Sequence, residues 1–316
     1  MSISPDDLGG IMAMMPAFAT DDAASSKATA TIDVDRLEQG VGRVIDDGID
    51  LIATTGSFGE FHTLLEDEYA TLARATVQAA ARRVPVFIGC TALNTRDAIR
   101  RARVARDAGA DGLLVGVPFY FPSTVENAVG FYRDVAAEVP DVAIMIYHNP
   151  TLHHVTLPIP AMKALAEIPN VIAMKDAHRE TRDFTALQRA TEGKIRVFVA
   201  AWQFHAYHAL GAAGFWSYDC WMGPEPVLAL RDAIAEGRLT DAADITLEIY
   251  PPRDQLPSLS WRETLAKIAI RHAGYIDPGP LRPPFVHIPP EIEQAARDRA
   301  ARWLALSERY ARQLSR

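Results

Sequence analysis

Short apolar runs alternate along this chain with longer amphipathic stretches. Each apolar run has the length and composition of a strand that is buried on both faces. The runs are Gly10–Phe18, Asp50–Thr55, Val84–Gly89, Gly112–Val117, Val142–Tyr147, Val171–Lys175, Ile195–Ala200 and Gly214–Ser217. The clearest helical stretches between them are Glu66–Ala81, Thr95–Ala108, Thr124–Glu138 and Pro160–Glu167. Eight strands that alternate with helices predict an α/β fold, a closed (β/α)8 TIM barrel with a parallel sheet.

The chain continues well past the eighth predicted strand, and this part carries helical patterns alone. These are Pro224–Glu236, Thr240–Tyr250, Trp261–Ala273 and Pro290–Leu314. The proline-rich segment Pro278–Pro290 predicts an extended linker. We therefore predict a barrel over residues 1–222 and a C-terminal helical extension, packed on the barrel, over residues 223–316.

The composition excludes several classes of protein. With 32 Lys and Arg against 40 Asp and Glu, the net charge is −8, which disfavours nucleic acid as a partner. The 2 cysteines form no CxxC pair, so a zinc site or a disulfide framework is not expected. We read no signal peptide and no apolar run of about 18 residues, so we expect no membrane partner and a cytoplasmic protein.

Polar residues at the ends of the predicted strands are the candidates for chemistry, because barrel active sites form there. Lys175 closes the apolar run that begins at Val171. Burial disfavours the charged form of a lysine, and a neutral amine can attack a carbonyl carbon. The alternative is a lysine that reaches solvent or pairs with Asp176, and position alone leaves both open.

Two further strand ends carry candidate groups. Tyr147 ends the preceding strand, and its phenol is suited to move a proton, although a structural tyrosine fits equally well. The loop Gly56–Gly59 can turn backbone N–H groups toward an anion such as a carboxylate, with Ser57 adding a hydroxyl. The alternatives are an ordinary tight turn for this loop and helix capping for Glu60.

The histidines show no pattern of metal ligands, although two of them stand three residues apart on a predicted helix. We therefore expect neither a metal nor a cofactor. Among the tryptophans, Trp216 stands at a strand end and is expected in a pocket, whereas Trp202 and Trp221 are expected in the core. The histidines that we considered as metal ligands are His148, His153, His154, His205 and His208.

Three motifs, in order along the chain, resemble the dihydrodipicolinate synthase/N-acetylneuraminate lyase superfamily of class I pyruvate aldolases. They are Gly56-Ser57-Phe58-Gly59-Glu60, Tyr147-His148-Asn149-Pro150 and Lys175-Asp176, and the resemblance covers nearly the whole chain. It implies a Schiff base on Lys175, proton transfer by Tyr147 and a homotetramer. It also implies that Asn149 orients a water or hydroxyl, and that Ser57, Phe58 and Gly59 hold the pyruvyl carboxylate.

Within this superfamily, the chain looks most like the hydratase-aldolases that cleave aryl-idene pyruvates to pyruvate and an aromatic aldehyde. Leu152 stands where dihydrodipicolinate synthases carry an arginine, and Phe58 replaces a hydroxyl residue. The likeness to the hydratase-aldolases also includes Thr91–Arg96, Gly214–Ser217 and Gly279–Pro284. Phe58, Tyr120 and Trp216 are then predicted to form an aromatic wall for a flat ring.

Arg262 is the candidate for recognising a substituent on that ring. A guanidinium matches a carboxylate bidentately, so an ortho-carboxy ring is one hypothesis and an ortho-hydroxy ring is its competitor. Arg262 as a plain surface residue is the third possibility. Other functions left open are a dihydrodipicolinate synthase-like or sugar-acid aldolase, a keto-acid-binding barrel without turnover, and a metal-dependent hydrolase.

Overall fold

The computed structural model of the protein describes residues 3–251 and 259–314, and its centre is a closed barrel of eight strands in chain order. Neighbouring strands from the third to the eighth are parallel. The predicted TIM barrel is therefore confirmed. The strands are β1 (Gly10–Met14), β2 (Leu51–Thr54), β3 (Val86–Gly89), β4 (Gly112–Val115), β5 (Ala143–Tyr147), β6 (Val171–Lys175), β7 (Arg196–Ala200) and β8 (Gly214–Ser217).

Helices connect the strands. They are α1 (Val34–Asp46), α2 (Glu66–Ala80), α3 (Thr95–Asp107), α4 (Val125–Glu138), α5 (Pro150–His153), α6 (Ile159–Leu165), α7 (Thr181–Thr191) and α8 (Ala201–Tyr207). Several begin where a side chain accepts the N–H three residues ahead, as Asp33, Asn94 and Thr124 do. Such caps fix the helix starts and hence the length of each loop above a strand.

The predicted and observed element bounds agree closely. β6 and β8 match their predicted ranges, and α4 begins one residue after the predicted Thr124 because that residue is its N-cap. The first strand is the main difference, since it ends at Met14 and not at Phe18. Pro16 has no N–H to donate to a neighbouring strand, which explains the early end.

Helices alone follow β8 in the described chain, apart from short 3₁₀ turns. They are α9 (Glu225–Ala235), α10 (Leu239–Ile249), α11 (Leu259–Ala273) and α12 (Pro290–Leu314). The segment between α11 and α12 has no regular secondary structure, as its prolines predict. The predicted division at residues 222 and 223 stays a prediction. No helix among the described residues has the length and apolar character needed to cross a membrane.

The chain divides into two compact units. The first unit contains three segments, which are the described residues up to Met12, then Leu51–Ala53, and then Pro85–Trp216. Its core is formed by the buried strands from β3 to β7 and the helices between them. The second holds Ala13–Asp50, Thr54–Val84 and the described residues from Ser217 onward. In the second unit Trp221 and Trp303 are fully buried, and their indole N–H groups donate to the carbonyls of Met14 and Gly223.

Candidate active site

Lys175 and Tyr147 are direct partners in the sheet. They pair at the ends of β6 and β5, and the His148 N–H donates to the Lys175 carbonyl at 3.1 Å. Parallel strands place paired residues side by side, and side chains in such register point to the same face. The backbone itself therefore sets the amine next to the phenol.

The Lys175 amine lies between two aromatic rings. Its Nζ is 4.0 Å from the centroid of Trp216 and 4.5 Å from that of Tyr147, and the residue is 8% exposed. Trp216 in turn packs edge-on against Trp202, at 5.6 Å between centroids. Trp202 is 49% exposed, so the prediction that it lies in the core is wrong. Within the described residues no carboxylate lies within ion-pair distance of this amine, so the alternative of a pair with Asp176 does not hold.

Asn149 connects the phenol to the loop above β5. Its Nδ2 donates to the Tyr147 hydroxyl at 3.4 Å, and its Oδ1 accepts the N–H of Leu152, which caps α5. The cap holds the amide in place while its N–H group faces the phenol. The structure thus brings together four predicted site residues, Lys175, Tyr147, Asn149 and Trp216.

The Asp176 carboxylate is buried and contacted on both oxygens. His148 Nδ1 lies 3.2 Å from Oδ1, Arg179 Nε lies 2.9 Å from Oδ2, and the His178 N–H donates to Oδ1 at 2.8 Å. Burial by itself would raise the pKa of Asp176, but the contacts with His148 and Arg179 outweigh it and hold the pKa below its ordinary value. Asp176 is therefore an anion at neutral pH.

His153 stands edge-on to the Tyr147 ring at 5.1 Å between centroids. Burial lowers the pKa of His153 to about 4, so the imidazole is neutral at neutral pH. Gly116 allows this arrangement, because a Cβ there would lie 2.3 Å from the imidazole Cε1. His153 thus adds a neutral wall beside the phenol.

In the second unit, the loop after β2 is a tight turn that needs its second glycine. A Cβ on Gly59 would lie 2.6 Å from the backbone nitrogen of Thr55. The Glu60 N–H donates to the Ser57 carbonyl at 3.1 Å, and both Thr55 and Glu60 have positive φ angles. Ser57 and Phe58 therefore sit in a tight turn, and anion binding by this loop stays a prediction.

Glu60 does not cap the helix that follows this loop. Its carboxylate pairs with two buried cations, Lys267 and Arg282, the latter at 3.0 Å. At the N-terminus of α2 this role falls to Glu68, because its Oε2 accepts the N–H of Leu65 at 2.8 Å. Capping as an alternative for Glu60 is thus wrong, because α2 starts six residues further on, at Glu66.

Phe58 has a partner that the sequence patterns did not indicate. Its ring stacks on Tyr218 at 5.0 Å between centroids and an interplanar angle of 27°. Burial raises the pKa of Tyr218 to about 12, so the phenol stays protonated, and Arg299 stands 5.4 Å from its centroid. Arg299 is itself paired with Asp219. Phe58 and Tyr218 therefore form a stacked pair in this unit, and the aromatic wall stays a prediction.

The remaining predicted site residues differ in their surroundings. Arg262 lies on α11, is half-buried, and its Nε has no hydrogen-bond partner among the described residues. Tyr120 is 73% exposed and its ring contacts Phe121, edge-on at 4.9 Å. Tyr120 thus belongs to an exposed aromatic pair on its own unit.

Histidines do not form a metal centre in the part of the chain that the structure describes, since no group of three or more His, Cys, Asp and Glu side chains is placed to hold an ion. His148 and Asp176 are members of the sequence motifs to which the sequence analysis gave no role in the site, and the structure places them together beside Tyr147 and Lys175. A signal existed: each directly follows one member of the register pair Tyr147 and Lys175, so the two side chains had to be neighbours.

Comparisons with known proteins find relatives along nearly the whole chain. The model of the dihydrodipicolinate synthetase family matches residues 13–302. The trans-O-hydroxybenzylidenepyruvate hydratase-aldolase of Sphingobium xenophagum is 34% identical, with 98% of each chain covered. The trans-2'-carboxybenzalpyruvate hydratase-aldolase of Nocardioides sp. (strain KP7) is 30% identical, with 98% of this chain and 97% of the relative covered.

A solved structure of PhdJ bound to a substrate intermediate has the same fold. It superposes with a TM-score of 0.91 at 32% sequence identity, over 98% of this chain and 99% of that one. The family match spans far more than half of the chain, and it includes the strands that carry Tyr147 and Lys175. The chain therefore belongs to the dihydrodipicolinate synthetase family.

Proposed function

We propose that this protein is a class I hydratase-aldolase that cleaves a 4-aryl-2-oxobut-3-enoate to pyruvate and an aromatic aldehyde. The observation that carries the proposal is the Lys175 amine, buried between two aromatic rings and beside Tyr147. A lysine amine in such a position can form a Schiff base with the ketone of a keto acid. Two relatives that are at least 30% identical are named hydratase-aldolases, which supports this reaction over others in the family.

The first half of the proposed reaction adds water across the alkene. The Lys175 amine attacks the C2 ketone, and loss of water gives an iminium conjugated with the C3–C4 double bond. This iminium accepts electrons from C4, so a water molecule adds its oxygen to C4 while C3 gains a proton. Asn149 orients this water or the resulting hydroxyl, because an amide both donates and accepts hydrogen bonds.

The second half breaks the C3–C4 bond. Tyr147 removes the proton from the C4 hydroxyl, the aldehyde leaves, and the bonding electrons pass into the iminium to form an enamine. Protonation at C3 and hydrolysis then release pyruvate and regenerate the amine. The sum is one water consumed for each aldehyde and pyruvate formed. The iminium supplies the electron sink.

Substrate binding is proposed from the motifs and from the local geometry of each loop. The turn with Ser57, Phe58 and Gly59 holds the pyruvyl carboxylate, as the family resemblance implies. Phe58, Tyr120 and Trp216 contact the aromatic ring. The half-buried Arg262, with no partner for its Nε among the described residues, recognises an ortho-carboxy group on that ring.

We also propose that the enzyme works as a cytoplasmic homotetramer. The family resemblance supports the tetramer. The two cysteines, Cys90 and Cys220, are buried and neither forms a disulfide in the described chain, which fits a reducing compartment.

The first experiment is reductive trapping of the Schiff base. Intact-protein mass spectrometry after addition of pyruvate and sodium borohydride should show a mass increase that matches one reduced pyruvate per chain. Lys175→Ala should show none, because it lacks the amine. Lys163→Ala, which removes a lysine of α6, is the control and should be labelled like the wild type. A folded wild-type protein that stays unlabelled would contradict the proposed function.

A further inference from the structure

The segment Gly279–Pro284, which we call the strap, is a sequence motif to which the proposed reaction gives no role. It lies against the chain that follows β1, within the second unit. The Ala19 N–H donates to the carbonyl of Pro278 at 3.0 Å, and a Cβ on Gly279 would lie 2.1 Å from the Ala19 carbonyl oxygen. Gly279 also has a φ of 73°, so this close approach depends on a glycine.

Arg282 is the charged residue of the strap, and it is 2% exposed. The five N–H groups of a guanidinium meet five acceptors here. Nη1 donates to the Glu60 carboxylate at 3.0 Å and to the Ala17 carbonyl at 2.9 Å. Nη2 donates to the carbonyls of Phe18 at 3.2 Å and Thr31 at 2.7 Å, and Nε donates to the Thr31 hydroxyl at 2.7 Å. Arg282 therefore has no donor left for a substrate.

Lys267 on α11 is also 2% exposed, and it joins the same carboxylate to the strap. An ammonium has three donors. Those of Lys267 meet the Glu60 carboxylate, the Pro280 carbonyl at 3.0 Å and the Ala17 carbonyl at 3.4 Å. Both buried cations are thus directed at Glu60 and at the main chain around it.

Glu60 closes the turn that carries Ser57 and Phe58. Its N–H donates to the Ser57 carbonyl at 3.1 Å, and its own carbonyl accepts the Thr63 N–H at 2.8 Å. Its φ is 52°, a backbone conformation that a residue with a side chain rarely adopts unless its surroundings hold it there. The pairs with Lys267 and Arg282 hold the side chain of this residue, so they bear directly on the shape of the turn.

We infer that Glu60, Lys267 and Arg282 are positioning residues for the turn that carries Ser57 and Phe58, and that the strap is thereby part of the substrate-binding machinery. The inference rests on the proposed function, which assigns the pyruvyl carboxylate to this turn. If the strap releases Glu60, the turn can relax, and its hydroxyl and N–H groups no longer match the carboxylate. The chemistry of the lysine amine is not affected.

The test is borohydride trapping measured as a function of pyruvate concentration. Arg282→Met removes the strap's pair with Glu60 and should raise the half-saturating pyruvate concentration about tenfold, the usual cost of a lost or misaligned hydrogen bond to a charged group. The maximal trapping rate of the folded protein should stay near the wild-type value. Arg282→Lys, which retains a cation for Glu60, should recover part of the change.

A second variant keeps the test independent of substitutions in the strap. Glu60→Asp retains the charge but is one methylene shorter, so its carboxylate reaches the two cations only if the turn moves. It should raise the half-saturating concentration in the same direction. The matched control is Arg231→Met, which removes an arginine of the same unit that pairs with Asp50 and Asp232, and it should leave the half-saturating concentration unchanged.

The outcomes separate this inference from the proposed function. A folded wild-type protein that pyruvate does not label would remove the proposed function itself. A labelled wild type, with Arg282→Met and Glu60→Asp variants that lose only maximal rate or folded fraction at an unchanged half-saturating concentration, would show that the strap serves stability alone. That result would overturn the inference and leave the Schiff-base chemistry intact.

Discussion

At the scale of single residues, Arg262 carries the sharpest specificity hypothesis. Arg262→Ala should lower kcat/KM for an ortho-carboxy aryl-idene pyruvate by about tenfold to a hundredfold, the usual cost of losing a charge-assisted hydrogen bond. The ortho-hydroxy substrate, which presents no carboxylate, should be affected much less. Steady-state kinetics on the two substrates measures the difference.

The matched control is Arg271→Ala, which removes a more exposed arginine, with 59% of its side chain accessible, from the same helix. It should leave the ratio of the two substrates unchanged. Equal losses on both ring types in Arg262→Ala would instead assign Arg262 to stability or general binding, and the ring substituent would have to be read by another group.

Residue identities at strand ends were the most predictable part of the site. Lys175, Tyr147 and Asn149 stand where the pattern of apolar runs places them, and their mutual contacts follow from the register of β5 and β6. The network of contacts around the Asp176 carboxylate was harder to foresee. It needs the position of Leu157, in the connection between α5 and α6, and no local pattern reports where such a connection folds back.

At the scale of elements, the segment after α11 is held to the loop after β2 through buried charges. Lys267 on α11 and Arg282 both pair with Glu60, and Arg282 also donates to the carbonyls of Ala17, Phe18 and Thr31. Burial acts to lower the pKa of Lys267, and Glu60 counteracts this shift. The Glu60 carboxylate thus contacts both desolvated cations.

Glu60→Gln should therefore destabilise the fold strongly. Removing one partner of a buried ion pair leaves uncompensated charge, which costs about 3–5 kcal/mol. Urea unfolding at neutral pH measures the change in the free energy of unfolding. The control is Glu236→Gln, which breaks the exposed pair with Arg238 and should leave the free energy of unfolding nearly unchanged. Similar losses in both variants would contradict a special role for Glu60.

Element bounds were predicted well where a cap or a proline marks them, and less well where only hydrophobicity does. The side chains of Thr124 and Asn94 cap α4 and α3, and so mark the residues at which these helices begin. The apolar run from Gly10 to Phe18 continues past the end of β1, because buried loop residues are as apolar as strand residues. An apolar sequence therefore indicates that residues are buried, but it does not show whether they lie in a strand or in a loop.

At the scale of the whole molecule, the expected tetramer is open to a direct measurement. Light scattering on the eluting protein should give a mass of about four times the 34.6 kDa chain. A monomeric mass at working concentration would refute the tetramer.

The register between β5 and β6 has a consequence for how such enzymes diversify. Backbone hydrogen bonds place Tyr147 beside Lys175, so this pairing does not depend on the side chains of the loops above. Under the proposed function, replacements around Phe58 or Arg262 change the preferred aldehyde without moving the phenol from the amine. A barrel of this kind can therefore exchange one substrate for another through ordinary point mutations while its bond-breaking step is inherited intact.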